Sequence, residues 1–390
     1  MKEAEIAYAH LARPFLSIDL DALDRNIAFV NEASLSKNIR IATKSIRSID
    51  ILRYIAERLD HHAGFMTFDL RETVYLLSQG FNDLLLGYPH LEESLLEEII
   101  PYLKGGRTVI FMVDAIEQWR WLKEFGEKHQ VVLEICIDIN VSMDFKVLYF
   151  GTKRSSLQNV EAVQRLLAQG RSYIHTKIVG VMGYEAQIAG VADVPVVSWQ
   201  APVIKMLKKW SLNKISDIRQ EAVQIILEAS PALKFVNGGG SGSIDFTAKA
   251  GEVTELTIGS AFYFPALFSN YRNLPLNNAV AFALRVTRNP EEGVVVCSGG
   301  GYIASGATGT DKNPVPIWPE NLSFLKNEGA GEVQTPLQDK NGALRIGDTV
   351  YFKHAKAGEV CERFNELHAR RRTEYCGAYT TYRGDGECYL

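Results

Sequence analysis

The stretch IRIATKSIRS, residues 39–48, ends a short run of small and apolar residues with a lysine, Lys44. It leads into SIDILRYIAERL, residues 48–59, where apolar residues recur at helical spacing. A buried strand followed directly by an amphipathic helix is the building unit of a parallel sheet, because the helix returns the chain to the start of the next strand. The number of such units therefore decides the fold.

The same pattern recurs along about the first 250 residues. Strands are predicted at PFLSIDL (14–20), RIATK (40–44), AGFMTFD (63–69), DLLLGYP (83–89), TVIFMVD (108–114), VVLEICIDI (131–139), TKIVGVMGY (176–184) and KFVNGGG (234–240). Helical patterns separate them, the longest from about Ser198 to Ala229. Eight units with continuously apolar strands favour a closed (β/α)8 TIM barrel. An open doubly wound sheet is the alternative, since a strand count does not prove closure.

The pattern changes after about Tyr271. Segments rich in β-forming residues, such as residues 279–289, 292–303 and 344–358, are joined by turns rich in glycine and proline, with one helix-like piece near residues 361–370. We therefore predict a barrel domain at residues 13–271 and a C-terminal, mostly β domain at residues 272–390. Residues 1–12 are a candidate addition to the β domain.

Composition excludes several classes of protein. The chain has 390 residues, 46% of them hydrophobic, and a formal net charge of −4 without a long charged block, so neither nucleic acid nor a membrane surface is an expected partner. No apolar run approaches the roughly 20 residues that span a bilayer. The five cysteines are scattered and form no CxxC pair, which is typical of a reduced, cytoplasmic protein: Cys136, Cys297, Cys361, Cys376 and Cys388.

Lys44 is the first candidate functional residue. Catalytic groups of such barrels lie on the loops that follow the carboxyl ends of the strands, and Lys44 ends the second predicted strand. An amine there either reaches solvent or pairs with a carboxylate, or it is a partly desolvated amine with a lowered pKa that can form a Schiff base. Position alone leaves both interpretations open.

The second candidate is FVNGGGSGSID, residues 235–245, after the last predicted barrel strand. Its glycines leave backbone N–H groups free to converge on an anion, although a flexible turn has the same composition. TELTIGSAFYF, residues 254–264, offers further contacts. A phosphate site and a reactive lysine at one rim suit a cofactor with both a phosphate and an aldehyde, which describes pyridoxal 5'-phosphate.

Several stretches, in their order along the chain, resemble one enzyme family: RPFLSIDLDALDRNI (13–27), ATKS (42–45), DLLLGYP (83–89), GVMGYEAQ (180–187), FVNGGGSGS (235–243) and ELTIGSAFYF (255–264). The family is that of the fold-type III pyridoxal phosphate enzymes, the group of alanine racemase, and the resemblance is greater to its D-threonine aldolase and D-serine dehydratase branch. IGDTVYFKHAKAGEV, residues 346–360, is similar to the C-terminal β domain of that branch.

The resemblance implies a role for each matched residue. Lys44 would hold the cofactor as a Schiff base and then transfer protons. Tyr184 would lie at the cofactor ring, and Arg154 near its phenolic oxygen. Without the resemblance, Tyr184 could merely cap the barrel wall and Arg154 could be an exposed charge. The implied phosphate ligands are Asn237, Gly238, Gly239, Gly240, Ser241, Gly242 and Ser243, with Gly259 and Ser260 beside them.

The sequence departs from the branch where its metal-dependent members hold a divalent ion. Those members have a histidine followed two residues later by cysteine or aspartate, whereas this chain has His354 and then Lys356. A protonated amine has no lone pair for a metal, so a divalent metal is doubtful and we predict no metal ligand. Lys356 either replaces the metal's positive charge, or the chemistry at the β-substituent differs, or the lysine is simply exposed. His354 is a candidate acid or base.

The resemblance predicts a pyridoxal phosphate-dependent lyase that acts on a D-amino acid, either by retro-aldol cleavage of a D-3-hydroxy amino acid or by dehydration and deamination of a substrate like D-serine. A racemase of the same fold is the alternative, and its second base would come from a tyrosine such as Tyr302, Tyr351 or Tyr379. A carrier of pyridoxal phosphate without turnover, or a phosphate-binding barrel that never binds this cofactor, is a third kind of function. The family also implies a homodimer.

Overall fold

The computed structural model describes residues 1–144, 149–194, 201–307 and 309–389. The strands in chain order are β1 (Phe15–Asp19), β2 (Asn38–Ala42), β3 (His62–Thr67), β4 (Leu84–Leu86), β5 (Val109–Val113), β6 (Leu133–Asp138), β7 (Met143–Asp144), β8 (Tyr149–Phe150), β9 (Thr176–Met182), β10 (Phe235–Gly238), β11 (Glu255–Ile258), β12 (Val280–Glu291), β13 (Val294–Ser298), β14 (Val315–Trp318), β15 (Leu322–Phe324), β16 (Gln334–Asp339), β17 (Thr349–Lys353), β18 (Glu366–Arg371) and β19 (Glu374–Thr380). The α-helices are α1 (Lys2–Ala7), α2 (Leu20–Ala33), α3 (Ile49–Ala56), α4 (Leu70–Ser78), α5 (Glu93–Lys104), α6 (Ile116–His129), α7 (Val160–Gly170), α8 (Ala186–Ala189), α9 (Ala201–Ala229), α10 (Ile244–Thr247) and α11 (Ser260–Tyr263).

Eight parallel strands close a barrel in the order β2, β3, β4, β5, β6, β9, β10 and β11, with β11 paired back to β2. The strands are apolar on both faces because one face lies in the barrel and the other packs against the helices. All five residues of β5 are buried, for example. The predicted barrel is confirmed, and the open sheet is excluded. The start of the predicted long helix, residues 198–200, lies outside the described residues.

The first predicted barrel strand is wrong. Strand β1 lies in the C-terminal sheet, where it pairs antiparallel with β12 and parallel with β18. Leu16 lies opposite Phe282 on one side and Leu367 on the other. The missing barrel strand is β11, between β10 and β2. An apolar strand covered on both faces has the same pattern in either sheet, so the sequence pattern does not distinguish them.

This correction changes the position of each candidate residue in the order of the barrel strands. Lys44 follows the first barrel strand rather than the second, and the glycine-rich stretch follows the seventh rather than the last. The strand ends at β10, β11 and β2 are therefore neighbours. Phosphate sites in such barrels commonly lie after the seventh and eighth strands.

The C-terminal domain is built on a nine-stranded sheet, which confirms the predicted β architecture. Its central strands are β12, β1 and β18, and β17 pairs with the other edge of β12. The helix-like piece that we predict near residues 361–370 is wrong: a short 3-10 turn, Glu359–Arg363, is followed by β18. Helix α1 packs on this sheet, where the Tyr8 hydroxyl donates to the carbonyl of His368 at 2.9 Å. The domain limits stay a prediction.

No helix within the described residues is both long and apolar enough to cross a membrane.

Candidate active site

Lys44 lies at the mouth of the barrel, in a 3-10 turn, Thr43–Ser45, that begins directly after β2. Its ammonium donates to the hydroxyl of Tyr88, which follows β4, at 2.7 Å. The turn is fixed because Thr43 donates to the carbonyl of Met66 at 2.9 Å and Arg47 donates to the carbonyl of Lys44 at 3.1 Å. The side chain of Lys44 is exposed.

The glycine-rich loop after β10 offers backbone donors. The N–H groups of Gly240, Ser241 and Gly242 have no acceptor among the residues that the structure describes. A Cβ atom on Gly240 would lie 3.1 Å from that of Ala189 and 3.3 Å from the ring of Tyr184. On Gly242 it would lie 2.4 Å from the carbonyl oxygen of Ala189. Side chains at Gly240 and Gly242 would clash with Ala189 and Tyr184, so the loop could not keep this conformation. Glycine at both positions therefore allows the three consecutive N–H groups to remain available to an anion.

The glycine-rich loop and the Lys44 turn are in contact through the loop after β11. The N–H of Ala261 donates to the hydroxyl of Ser241 at 2.8 Å. The hydroxyls of Ser260 and Ser45 lie 3.5 Å apart, and a Cβ on Gly259 would lie 2.8 Å from Ser45. The structure therefore brings together Lys44, the glycine-rich loop, Gly259 and Ser260, as the sequence predicts.

Glu185 fixes the glycine-rich loop through buried hydrogen bonds, a role not predicted from the sequence. Its carboxylate is fully buried and accepts from the Arg219 guanidinium at 3.0 Å, the Gly239 N–H at 3.1 Å and the Ser243 hydroxyl at 2.9 Å. The hydroxyl of Thr247 donates to it as well. The one sequence signal is an acidic residue directly after a strand end, in MGYEA.

Three predicted phosphate ligands are used within the protein. The amide of Asn237 donates to Glu255 at 2.7 Å and to Thr257 at 2.8 Å, inside the barrel. The N–H of Gly239 and the hydroxyl of Ser243 donate to Glu185. A Cβ on Gly238 would lie 3.2 Å from the Arg219 guanidinium, so this glycine makes room for the ion pair. The free donors therefore begin at Gly240.

Tyr184, which follows β9, lies beside the glycine-rich loop at the mouth. Its pKa is raised to about 12, mainly by burial and also by the neighbouring Glu185 carboxylate, against the lowering effect of the Arg154 guanidinium. Arg154 is exposed. The structure thus places Tyr184 beside the glycine-rich loop and within electrostatic range of Arg154.

Asp138, at the end of β6, is a second residue that the sequence analysis misses. Burial raises the pKa of its carboxyl to about 8, the Asp114 carboxylate adds to this effect, and the Arg154 guanidinium opposes it. The sequence signal is an acidic residue at the end of an otherwise apolar strand, in EICID. A carboxyl group that titrates near neutral pH at a barrel mouth is suited to proton transfer.

His354 is buried at the edge of the β domain, 1% exposed. Its Nδ1 lies 2.9 Å from the carbonyl oxygen of Val280, and a carbonyl can only accept, so Nδ1 carries the proton and Nε2 keeps its lone pair. Nε2 has no partner among the described residues. Burial lowers the pKa of the imidazole to about 3, so the ring is neutral at physiological pH.

Lys356 is exposed, and its ammonium pairs with Glu359 at 2.5 Å and donates to Ser305 at 2.9 Å. Together with His354 it lines an open cavity of about 470 Å3 that also contains Arg47, Tyr302, Arg363 and Arg383. The predicted catalytic pair, His354 and Lys356, therefore shares one cavity.

This cavity adjoins the Lys44 turn. Gly358 has a φ of +83°, and a Cβ there would lie 1.9 Å from the carbonyl oxygen of Lys44. Arg47 lines the cavity and donates to the same carbonyl. The β domain thus places the cavity lined by His354 and Lys356 against the backbone of the Lys44 turn, although these two residues lie more than 300 positions further along the chain.

The donor atoms next to His354 do not fit a divalent metal. Lys356 stands two residues after His354, where the resemblance would lead one to expect a second metal ligand, and Glu359 in the same cavity is paired with Lys356 and Ser305. Within the described residues, a group of three donors spaced for a metal occurs elsewhere, at Glu93, Glu97 and His129, and Lys128 donates to both glutamates.

The residues of the mouth do fit pyridoxal phosphate. Three open N–H donors suit a phosphate, and a lysine on an adjacent strand end suits an aldehyde. The fold and the site thus define a (β/α)8 barrel protein with an amine and an anion site at one mouth.

Comparison with known proteins identifies the family. Residues 18–265, more than half of the chain, match the family described as alanine racemase, N-terminal domain. The chain belongs to this family, and the family predicted from the sequence is confirmed. The chain is also 22% identical over 371 residues to 3-hydroxy-D-aspartate aldolase from Paracoccus denitrificans (strain Pd 1222), covering 93% of this chain and 88% of that protein.

Solved structures have the same fold. D-threonine aldolase from Filomicrobium marinum superposes with a TM-score of 0.80 at 19% identity, over 96% of this chain and 95% of that one. D-threo-3-hydroxyaspartate dehydratase from Delftia sp. HT23 superposes with a TM-score of 0.75 at 16% identity, over 96% and 98%. The similarity covers the barrel and the β domain together.

Proposed function

We propose that this chain is a pyridoxal phosphate-dependent lyase that acts on a D-amino acid with a β-hydroxyl group. The observation that carries the proposal is the contact between the Lys44 turn and a loop with three open N–H donors, through Ser45, Ser260 and Ser241. The relatives reported above are by name aldolases and a dehydratase, which supports the predicted lyase class.

Each candidate residue has a defined task in this proposal. Lys44 attaches the aldehyde, Gly240, Ser241 and Gly242 bind the phosphate, and Tyr184 and Arg154 border the ring. When bound, pyridoxal phosphate supplies an electron sink for breaking a bond at the substrate Cα. The chain itself orients the substrate and moves protons. Lys44, next to the hydroxyl of Tyr88, is the proton-transfer group at the cofactor.

The cavity beside Lys44 is suited to the β-hydroxyl and the substrate's negative charges. The lone pair on His354 Nε2 accepts a hydrogen bond from a hydroxyl, although a pKa of about 3 makes this group a poor store for a proton. Glu359 pairs with Lys356 and Glu362 pairs with Arg47, so Arg363 and Arg383 supply the excess positive charge of the cavity. We propose that these cations take the electrostatic role that a metal has in metal-dependent relatives, so the reaction proceeds in the presence of chelator.

Racemisation remains the alternative reaction. A racemase requires a second base, and Tyr302 lines the same cavity as His354. Tyr351 lies in a separate apolar cluster with Phe15 and helix α1, and Tyr379 lies on β19 at the edge of the sheet. Stereochemistry distinguishes the reactions, because a racemase interconverts both enantiomers whereas the proposed lyase consumes the D form.

A carrier without turnover is the non-enzymatic alternative. The cavity of about 470 Å3 beside Lys44 argues against it, since a carrier has no use for a second pocket of substrate size. We further propose a cytoplasmic homodimer, on family analogy, with a small D-amino acid as the ligand.

The test begins with an absorption spectrum of the purified protein after addition of pyridoxal phosphate. We expect a visible band in the wild type and in Lys249→Ala, which changes an exposed lysine, and none in Lys44→Ala. Borohydride reduction followed by mass spectrometry should place the cofactor on Lys44. The D and L forms of threonine, serine and 3-hydroxyaspartate are then assayed with and without chelator.

Two results contradict the proposal. The absence of a band in the wild type would mean that the protein does not bind pyridoxal phosphate as a Schiff base. A band that persists in Lys44→Ala would mean that Lys44 is not the residue that binds the aldehyde. If the enzyme acts on the D forms and chelator abolishes this activity, the proposal of a lyase stands. The proposal that the cations replace a metal would then be wrong.

A further inference from the structure

A second cavity lies on the other side of the segment that carries His354. Its volume is about 540 Å3, and it is enclosed by the outer face of the C-terminal sheet, helix α1 and residues 266–270. None of the candidate residues at the barrel mouth lines it. Its size is within the range of small-molecule sites, roughly 300 to 1,000 Å3.

The cavity contains a buried cation without a carboxylate partner. Lys353 is 7% exposed and lies opposite Ala281 of β12, which in turn lies opposite Ser17 of β1, so these three residues share one face of the sheet. Its ammonium donates to Ser269 at 2.7 Å and lies 3.8 Å from the centre of the Phe264 ring. No carboxylate forms an ion pair with it in the part of the chain that the structure describes.

The other charges around the cavity do not neutralise Lys353. Arg370 is buried and pairs with Asp19, and Glu3 lies 3.7 Å from the same guanidinium. Asp19 also accepts from the N–H of Ala22 at 3.0 Å, at the start of α2. Both carboxylates therefore lie at Arg370, and Lys353 has no carboxylate paired directly with it among the described residues. A buried ammonium is favoured by a nearby anion. Burial lowers the pKa of Lys353 to about 8 in the chain alone.

The cavity also contains an unused acceptor. The side-chain oxygen of Asn278 is buried and has no hydrogen-bond partner among the described residues. A buried polar atom left without a partner is unfavourable, so such atoms commonly bind a ligand or water. Lys353, a cation suited to a carboxylate, and Asn278, an acceptor suited to a hydroxyl or ammonium, thus both line the cavity.

From these contacts we propose that the cavity binds a small organic acid that carries a hydrogen-bond donor, such as a hydroxy acid or an amino acid. Lys353 binds its carboxylate and Asn278 accepts from its hydroxyl or ammonium. The site is separate from the Lys44 mouth, and it does not depend on the proposed reaction.

The test measures binding of lactate to the full chain loaded with pyridoxal phosphate, by calorimetry in phosphate-free buffer. We expect saturable binding that Lys353→Met abolishes and Lys340→Met, on an exposed turn, retains. Propionate has the carboxylate but no hydroxyl, and it should bind about tenfold more weakly. In Asn278→Ala this preference for lactate should disappear.

Other outcomes overturn the proposal. Lactate that does not bind, or that binds equally to Lys353→Met, excludes the site. Inorganic phosphate that binds as tightly as lactate would indicate a general oxyanion site. A change of oligomeric state in Lys353→Met, without lactate binding in the wild type, would indicate a surface between subunits. The visible cofactor band of each variant reports whether the barrel mouth is intact.

Discussion

At the scale of single residues, Glu185 illustrates how a buried charge shapes a binding loop. It accepts from the Gly239 N–H and the Ser243 hydroxyl, while the N–H groups of Gly240, Ser241 and Gly242 between them have no acceptor among the described residues. We infer that it is a positioning residue for the phosphate. Arg219 compensates its charge within the core.

We predict that Glu185→Gln weakens pyridoxal phosphate much more than pyridoxal, which lacks the phosphate. The amide keeps one acceptor oxygen but cannot satisfy Arg219, Gly239 and Ser243 together. Equilibrium titration by absorbance measures both affinities. Breaking a buried ion pair also destabilises the fold by about 3 to 5 kcal/mol, so the ratio of the two affinities is the informative quantity.

Gln187→Ala provides a control, since its buried amide donates to the carbonyl of Val141 and not to the loop. Equal weakening of both ligands by Glu185→Gln would mean that Glu185 supports the barrel in general rather than the phosphate loop.

The lowered pKa of His354 predicts how the free energy of unfolding depends on pH. Its pKa is about 6.5 when unfolded and about 3 when folded, so the unfolded state binds the extra proton between these values. The contribution is therefore complete above pH 6.5 and is lost as the pH falls towards 3, by up to about 5 kcal/mol. Urea unfolding from pH 7 to pH 4 measures it.

The His354→Gln variant should show a flatter dependence over this range, because glutamine does not titrate. If the wild type and His354→Gln lose stability in parallel, then His354 is not buried as a neutral ring. Subtracting the two curves removes the opposite contribution of Asp138, whose raised pKa acts in the other direction.

Some of the site could be predicted from single residues and some could not. Lys44 and the glycines are local signals, since each lies at a strand end with a distinctive composition. Glu185 and Asp138 are single acidic residues, and only their neighbours in space distinguish them from solvated charges. Asn237 looks like part of the loop in sequence, but its side chain points into the barrel because it is the penultimate residue of β10.

At the scale of elements, the turn that carries Gly358 holds the Lys44 turn in place. We predict that Gly358→Ala displaces the lysine or destabilises the protein, because its Cβ would overlap the Lys44 carbonyl. Both the cofactor band and the melting temperature should fall.

Gly386→Ala is the matched control. Gly386 has the same φ of +83°, but a Cβ there meets nothing within 4 Å, so only the backbone strain of about 1 to 2 kcal/mol remains. Similar losses in both variants would mean that strain, and not contact with Lys44, accounts for the effect.

The element order was predictable, but the pairing of β1 was not. The local sequence pattern predicts that residues 15–19 form a strand. It does not predict which sheet the strand joins, because that depends on partners such as β18, about 350 residues away. The position of the His354 cavity against the Lys44 turn depends on the same kind of long-range contact, and only the family resemblance indicated it.

At the scale of the whole molecule, β1 joins the start of the chain to its end. Leu16 is fully buried between β12 and β18, and we predict that Leu16→Ala lowers stability by about 2 to 5 kcal/mol. Hydrogen exchange should increase in residues 280–286 and 366–371, and much less in β5 and β6.

Ile110→Val in β5 should produce the opposite distribution, with faster exchange in the barrel. Faster exchange in the barrel strands of Leu16→Ala would contradict the observed pairing of β1.

The pairing of β1 also has a meaning for synthesis on the ribosome. Strand β18 is synthesised about 350 residues after β1. Translation proceeds at roughly 5 to 20 residues per second, so one edge of the apolar strand β1 remains unpaired for about 20 to 70 seconds before β18 is made. An open apolar edge invites pairing with other nascent chains. The yield of native protein should therefore depend on how quickly translation finishes and on chaperones that cover this strand in the meantime.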